Sequence, residues 1–105
     1  MGYSKENYED VEPKAPGMYF LRDALGCEQL GLTVVEGDEE WSGMEHDHED
    51  EEQEEVYLLL EGSGRITVDG EEVSLESGDV VRVPPSATRE YEFDEASRMI
   101  IAGAP

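Results

Sequence analysis

The chain's two histidines, His46 and His48, stand one residue apart, and a carboxylate, Glu55, follows them across an acidic run. On a β-strand, residues i and i+2 project from the same face. Two neutral imidazoles at that spacing can therefore converge on one metal ion. The third donor has to come from the next strand, where Gln53, Glu55 and Tyr57 share a face by parity. Glu55 is the first choice for that donor and Gln53 the alternative. Two histidines and one carboxylate on one side of an ion form the facial set of non-haem Fe(II) oxygenases, and the same donors accept Mn, Ni or Zn. The rival reading leaves both rings solvated. Residues 45–55 carry eight Asp or Glu in eleven positions, and acidic neighbours favour the imidazolium, which competes with a metal.

The elements that must position these residues read as strands. Met18–Leu21 and Leu30–Val35 are short apolar runs, the second rich in β-branched residues. Trp41–His48 reads as another strand. Val56–Leu60 is the most apolar segment and is expected to be buried. Ile66 and Val68 alternate with Arg65 and Thr67, Asp69-Gly70 is a two-residue hairpin signal, and Val73 and Leu75 alternate on the return. Val80–Val83 ends at Pro84-Pro85, Arg89–Phe93 alternates, and Met99–Ile101 closes the series. Eight to ten short strands with Gly or Pro turns and no long helical period predict an all-β sandwich or barrel. Residues 1–16, polar and carrying Pro13 and Pro16, read as a flexible N-terminal arm, and residues 17–105 as the barrel domain.

Within this pattern the chain resembles the cupin family. His46-x-His48, Glu55 and Gly62 look like the first cupin motif. Gly78-Asp79-Val80-Val81-Arg82-Val83-Pro84, followed by Pro85-Ser86, looks like the second, and the Asp69-Gly70 hairpin lies between them. The resemblance covers roughly residues 30–102. It implies a double-stranded β-helix, the cupin jelly-roll barrel, with a site in the barrel mouth. Overall the chain is similar to small acidic cupins of salt-loving microbes. Three departures stand out. Six residues separate His48 from Glu55, where the family has three or four. Glu40 stands where the first motif has a Gly. Arg89 stands where the second motif has its third His.

Arg89 cannot ligate a metal, because a guanidinium stays protonated and only donates. By parity Arg89, Tyr91 and Phe93 share one face, and the aromatic pair turns that face toward the core. Two arrangements remain open. Arg89 pairs with Glu55 in place of a metal, or Arg89 and a metal together grip an anionic ligand, with the guanidinium as a bidentate clamp. Arg89, Tyr57 and Tyr91 are therefore the candidate ligand-binding residues, although the tyrosines also serve as plain barrel lining.

Composition narrows the partners. Asp and Glu total 28 against 7 Lys and Arg, a formal charge of −21. Such a field repels nucleic-acid phosphates and anionic membranes. Only Lys5 and Lys14 are lysines, and the acids are spread along the chain, a pattern that suits a salty cytoplasm. One cysteine, Cys27, forbids an internal disulfide and reads as a small buried residue. No signal-peptide pattern and no run of transmembrane length occur, so a soluble cytoplasmic protein is expected. The family resemblance implies a homodimer, with the strand around Tyr19 able to add to a partner's sheet and Trp41 in the core or the interface.

Three functions follow: a metal-dependent enzyme on a small organic molecule, such as a dioxygenase or isomerase; a non-catalytic small-molecule binding or sensing module with a degenerate metal site; and a structural role. The charge alone makes one prediction. Screening removes self-repulsion, so the melting temperature should climb steeply from low to molar salt. A thermal-melt series across that range checks this, and a flat series contradicts the halophilic reading.

Overall fold

The computed structural model describes residues 2–39 and 53–105. The Trp41–His48 strand expectation, and with it His46 and His48, lies outside the described residues.

Among those described there are eight strands: β1 (Met18–Phe20), β2 (Gly31–Gly37), β3 (Glu54–Glu61), β4 (Ser63–Val68), β5 (Glu71–Glu76), β6 (Val80–Val83), β7 (Arg89–Phe93) and β8 (Ser97–Ala104). One helical turn, α1 (Arg22–Leu25), precedes β2 and ends at Gly26 in the left-handed region. The strands form a five-stranded sheet, ordered β1-β2-β8-β3-β6, and a three-stranded sheet, ordered β5-β4-β7, with every pairing antiparallel. This is the all-β architecture that the strand pattern predicts, in the jelly-roll form that the family resemblance implies.

The alternation of side chains builds the space between the sheets. Val35, Tyr57, Leu59, Val83, Met99 and Ile101 enter from the larger sheet. Ile66, Leu75, Tyr91 and Phe93 enter from the smaller one. The β4–β5 hairpin turns at Asp69 and Gly70, both at positive φ, the mirror-image turn that matches strand twist.

The segment expected to be most buried is only half so. Tyr57 and Leu59 are buried, whereas Val56 and Leu60 are exposed on the outer face. The reason is period two: a strand with one face on the core shows its other face outward, however apolar it is. Between Leu59 and Glu61 the β3–β8 register shifts, and the bulge turns Glu61 outward to Arg98. Gly62 follows at positive φ, where a Cβ would lie 2.1 Å from Ser97 Oγ, so this close approach needs glycine.

The N-terminal residues are tied to the barrel. Tyr8 donates its hydroxyl hydrogen bond to Glu36 and meets Tyr19 edge-on, and Ser4 Oγ donates to the Leu25 carbonyl. The Tyr8 hydroxyl, and after it Arg98, hold the Glu36 carboxyl below the usual carboxylate range. Cys27 is half-buried rather than a core residue.

Candidate functional site

The site grows from two strands on opposite sheets. On β3, Glu55 and Tyr57 point inward by alternation. On β7, Arg89, Tyr91 and Phe93 point inward by the same rule and are all buried. The two faces meet at Arg89, which is fully buried, with 0% exposure. Its Nη1 lies 3.4 Å from Glu55 Oε1, and its Nη2 donates to the Pro84 carbonyl at 2.5 Å. Glu55 Oε1 also accepts the Tyr57 hydroxyl at 2.6 Å. One carboxylate oxygen thus receives a phenol from its own strand and a guanidinium from the facing sheet.

The backbone makes room for this pair. Glu55 sits opposite Val83 on β6 and Gly103 on β8. A Cβ at Gly103 would come within 3.1 Å of Glu55 Cγ, so the glycine leaves the space that the carboxylate stem fills. The turn at Pro84 and Pro85 brings a carbonyl to the guanidinium. Sequence reasoning missed both contributions, and no residue type signals them, because the first is an absent side chain and the second a main-chain oxygen.

Electrostatics follow from burial. Loss of hydration pushes the Tyr57 hydroxyl far above its ordinary pKa, and the Glu55 hydrogen bond and charge push further the same way. Burial, then Glu55, does the same to Tyr91. Both phenols are therefore protonated throughout the physiological range. Tyr57 and Tyr91 have ring centroids 5.8 Å apart and form one aromatic wall beside the ion pair.

Among the described residues, Arg89 Nε is buried and has no hydrogen-bond partner. A buried donor left unmade costs on the order of 1–3 kcal/mol, more when it belongs to a charged group.

Of the residues marked by sequence, Glu55, Tyr57, Arg89 and Tyr91 come together. Gln53 is half-buried just ahead of β3. His46 and His48 lie outside the described residues. Among the described residues, Glu55 Oε1 meets the Arg89 guanidinium, the ion pair that one of the two expected arrangements contains. An ion on Glu55 Oε1 would have to share that oxygen with Tyr57 and a permanent cation, and the two cations repel. Among the described residues no three His, Cys, Asp or Glu side chains are grouped to hold a metal. As arranged, the described donors do not fit a transition ion. A concavity of about 430 Å³ is lined by Tyr19, Glu36, Glu61 and Arg98 among others, but Arg98 is already bonded to both carboxylates.

Comparison with known proteins agrees with this architecture. The family model described as a cupin domain matches residues 31–102. A cupin protein from Bacteroides fragilis superposes with a TM-score of 0.84 at 23% identity, covering 99% of this chain and 85% of that one. KdgF from Halomonas sp. gives 0.78 at 21%, covering 100% and 94%. A structure described as a sugar phosphate isomerase from the cupin superfamily, from Silicibacter pomeroyi, gives 0.78 at 21%, covering 97% and 76%. In sequence, an uncharacterized protein of Methanocaldococcus jannaschii is 38% identical over 39 residues, 37% of this chain and 31% of that protein. The matched stretch therefore spans less than a third of that relative.

The geometry makes two predictions. Removing only one partner of the buried pair, as in Glu55→Ala, should destabilise the fold by about 3–5 kcal/mol, because Arg89 is left without its countercharge. The double replacement Glu55→Leu with Arg89→Met should recover most of that loss in denaturant unfolding. The second concerns alkali. A phenol whose folded pKa is raised contributes its full stability below its unfolded value, near 10.0, and loses it as pH climbs above that value. Stability should therefore fall above about pH 10. Absorbance at the phenolate band should show Tyr57 and Tyr91 ionising only as the barrel unfolds, together with the loss of β-sheet circular dichroism.

Proposed function

The chain belongs to the cupin family, and from that premise we propose that it binds a small organic anion in the mouth of its barrel, with Arg89 as the fixed cation. The observation that carries this reading is a fully buried guanidinium whose Nε has no acceptor among the described residues. A ligand carboxylate is the acceptor that matches it, since a guanidinium offers its donors in a planar fork. Tyr57 and Tyr91 supply the wall against which the carbon skeleton packs, and both stay neutral. Glu55 holds the guanidinium in place and tempers its charge, so binding is selective rather than merely electrostatic.

Binding is favoured over catalysis because the facing carboxylate oxygen is already engaged by Tyr57 and Arg89. The solved cupin described as a sugar phosphate isomerase supports an anionic small molecule as a ligand class for this architecture. The metal reading rests on His46 and His48 and requires Glu55 to leave Arg89.

Ligand-observed NMR against a panel of acetate, malonate, pyruvate and citrate tests the proposal. At least one acid should bind, and Arg89→Lys should weaken it by roughly ten-fold, about 1.4 kcal/mol, because an ammonium lacks the fork. The double variant Glu55→Gln with Arg89→Met, verified as folded by circular dichroism, should lose binding. No binding by any acid, or unchanged binding in the double variant, rejects the proposal. So does about one tightly held transition ion per chain in untagged protein.

A further inference from the structure

The contacts around Arg89 are uneven. Glu55 Oε1 accepts the Tyr57 hydroxyl at 2.6 Å, a normal length for a hydroxyl on a carboxylate. The same oxygen stands 3.4 Å from Arg89 Nη1, well beyond the roughly 2.7–2.9 Å of a close charge-assisted bond. The tight partner of the glutamate is therefore its strand neighbour, and its hold on the guanidinium is loose. Arg89 shows the matching deficit. Its Nη2 donates to the Pro84 carbonyl, but its buried Nε meets no acceptor among the described residues. A carboxylate reaching Nε and one Nη together would serve this cation better than Glu55 does.

Exposure orders the two groups. The Glu55 side chain is 12% exposed and that of Arg89 0%, so the glutamate stands between solvent and the guanidinium. A second carboxylate brought to Arg89 is repelled by the first, and burial leaves that repulsion weakly screened. Glu55 can yield Nη1 without losing its hydrogen bond, because Tyr57 keeps hold of Oε1. Its Oε2 faces Gly103, where no side chain closes the flank; a Cβ there would lie 3.5 Å away. Resident and incoming groups also match in shape: beyond Cβ, a glutamate side chain is a CH2 and a carboxylate, the heavy atoms of one acetate.

We propose that Glu55 is a built-in competitor, a resident carboxylate that an organic acid must displace from Arg89 in order to bind. This rests on the anion-binding reading of the barrel mouth and adds to it what sets the affinity. Glu55 keeps the cation compensated while no ligand is present, and it weakens every ligand by the charge it leaves beside it.

Ligand-observed NMR with acetate, malonate, pyruvate and citrate at one ionic strength tests this on wild type, Glu55→Gln, and Glu55→Gln combined with Arg89→Met. Glutamine keeps the size and an oxygen for Tyr57 but not the charge. The tightest acid should bind Glu55→Gln at least about ten-fold more strongly than wild type, and the double variant should not bind it. Glu55→Ala gives a second readout, because it deletes the acetate-like group. Acetate should raise the melting temperature of that variant by more than it raises wild type's. Binding to Glu55→Gln that is no tighter than to wild type, or an equal thermal rise in Glu55→Ala and wild type, overturns the competition and leaves the anion site standing. Binding to Glu55→Gln alone supports the competition and rejects the binding function of the native chain. Binding to neither rejects both.

Discussion

A guanidinium sealed between two β-sheets constrains everything around it. Arg89 cannot shed its proton, so the barrel interior must supply a countercharge and acceptors. Glu55 supplies the charge from the opposite sheet, the carbonyl of Pro84 supplies an acceptor from a turn, and Tyr57 fixes the carboxylate from two residues away. Each of these dictates something further. The glutamate stem requires the space at Gly103, and the phenol of Tyr57 is held neutral by burial and by the carboxylate it serves. The pair also ties β7 of one sheet to β3 of the other, so the mouth is held by a polar link as well as by packing.

This link sets the chemistry available to the mouth. On the proposed reading, a carboxylate oxygen engaged by a phenol and an arginine leaves the guanidinium as the fixed cation that an organic acid would meet. On that reading, a cationic side chain at the position of the family's third histidine would change which ligand the same barrel suits, while the jelly roll remains a cupin fold. Fold and ligand are separable here because the fold depends on alternation over some eight strands, whereas the ligand depends on a handful of inward atoms.

Outside, charge is distributed unevenly for a physical reason. Among the described residues, the smaller sheet's five glutamates share a single arginine, Arg65, which reaches Glu72 and Glu92, while the larger sheet's four acids are each matched to an arginine. The arginines Arg82, Arg89 and Arg98 all serve that sheet, and they stand near the carboxylates they neutralise only after β3, β6, β7 and β8 have been assembled. In the chain, 62 residues separate Glu36 from Arg98 and 34 separate Glu55 from Arg89.

Read alone, the sequence determines the periodicity and hence the fold. Alternation in Ile66–Val68 and Arg89–Phe93, and the Asp69-Gly70 turn, are local signals that any solution of the chain has to honour. It also determines that Arg89 shares a face with Tyr91 and Phe93, because parity is local. It leaves open whether Glu55 comes within reach of the guanidinium, because that depends on the distance between two sheets. Local pattern also misjudges Val56–Leu60 as wholly buried, since strand composition does not reveal whether the second face is covered. Those matters are decided by tertiary structure: which strands become neighbours, where the β3 bulge turns Glu61 outward, and how close Gly103 and Pro84 stand to the pair. The physical reason is that backbone period is written residue by residue, whereas a buried ion pair and an exposed sheet face exist only once distant segments share the same space.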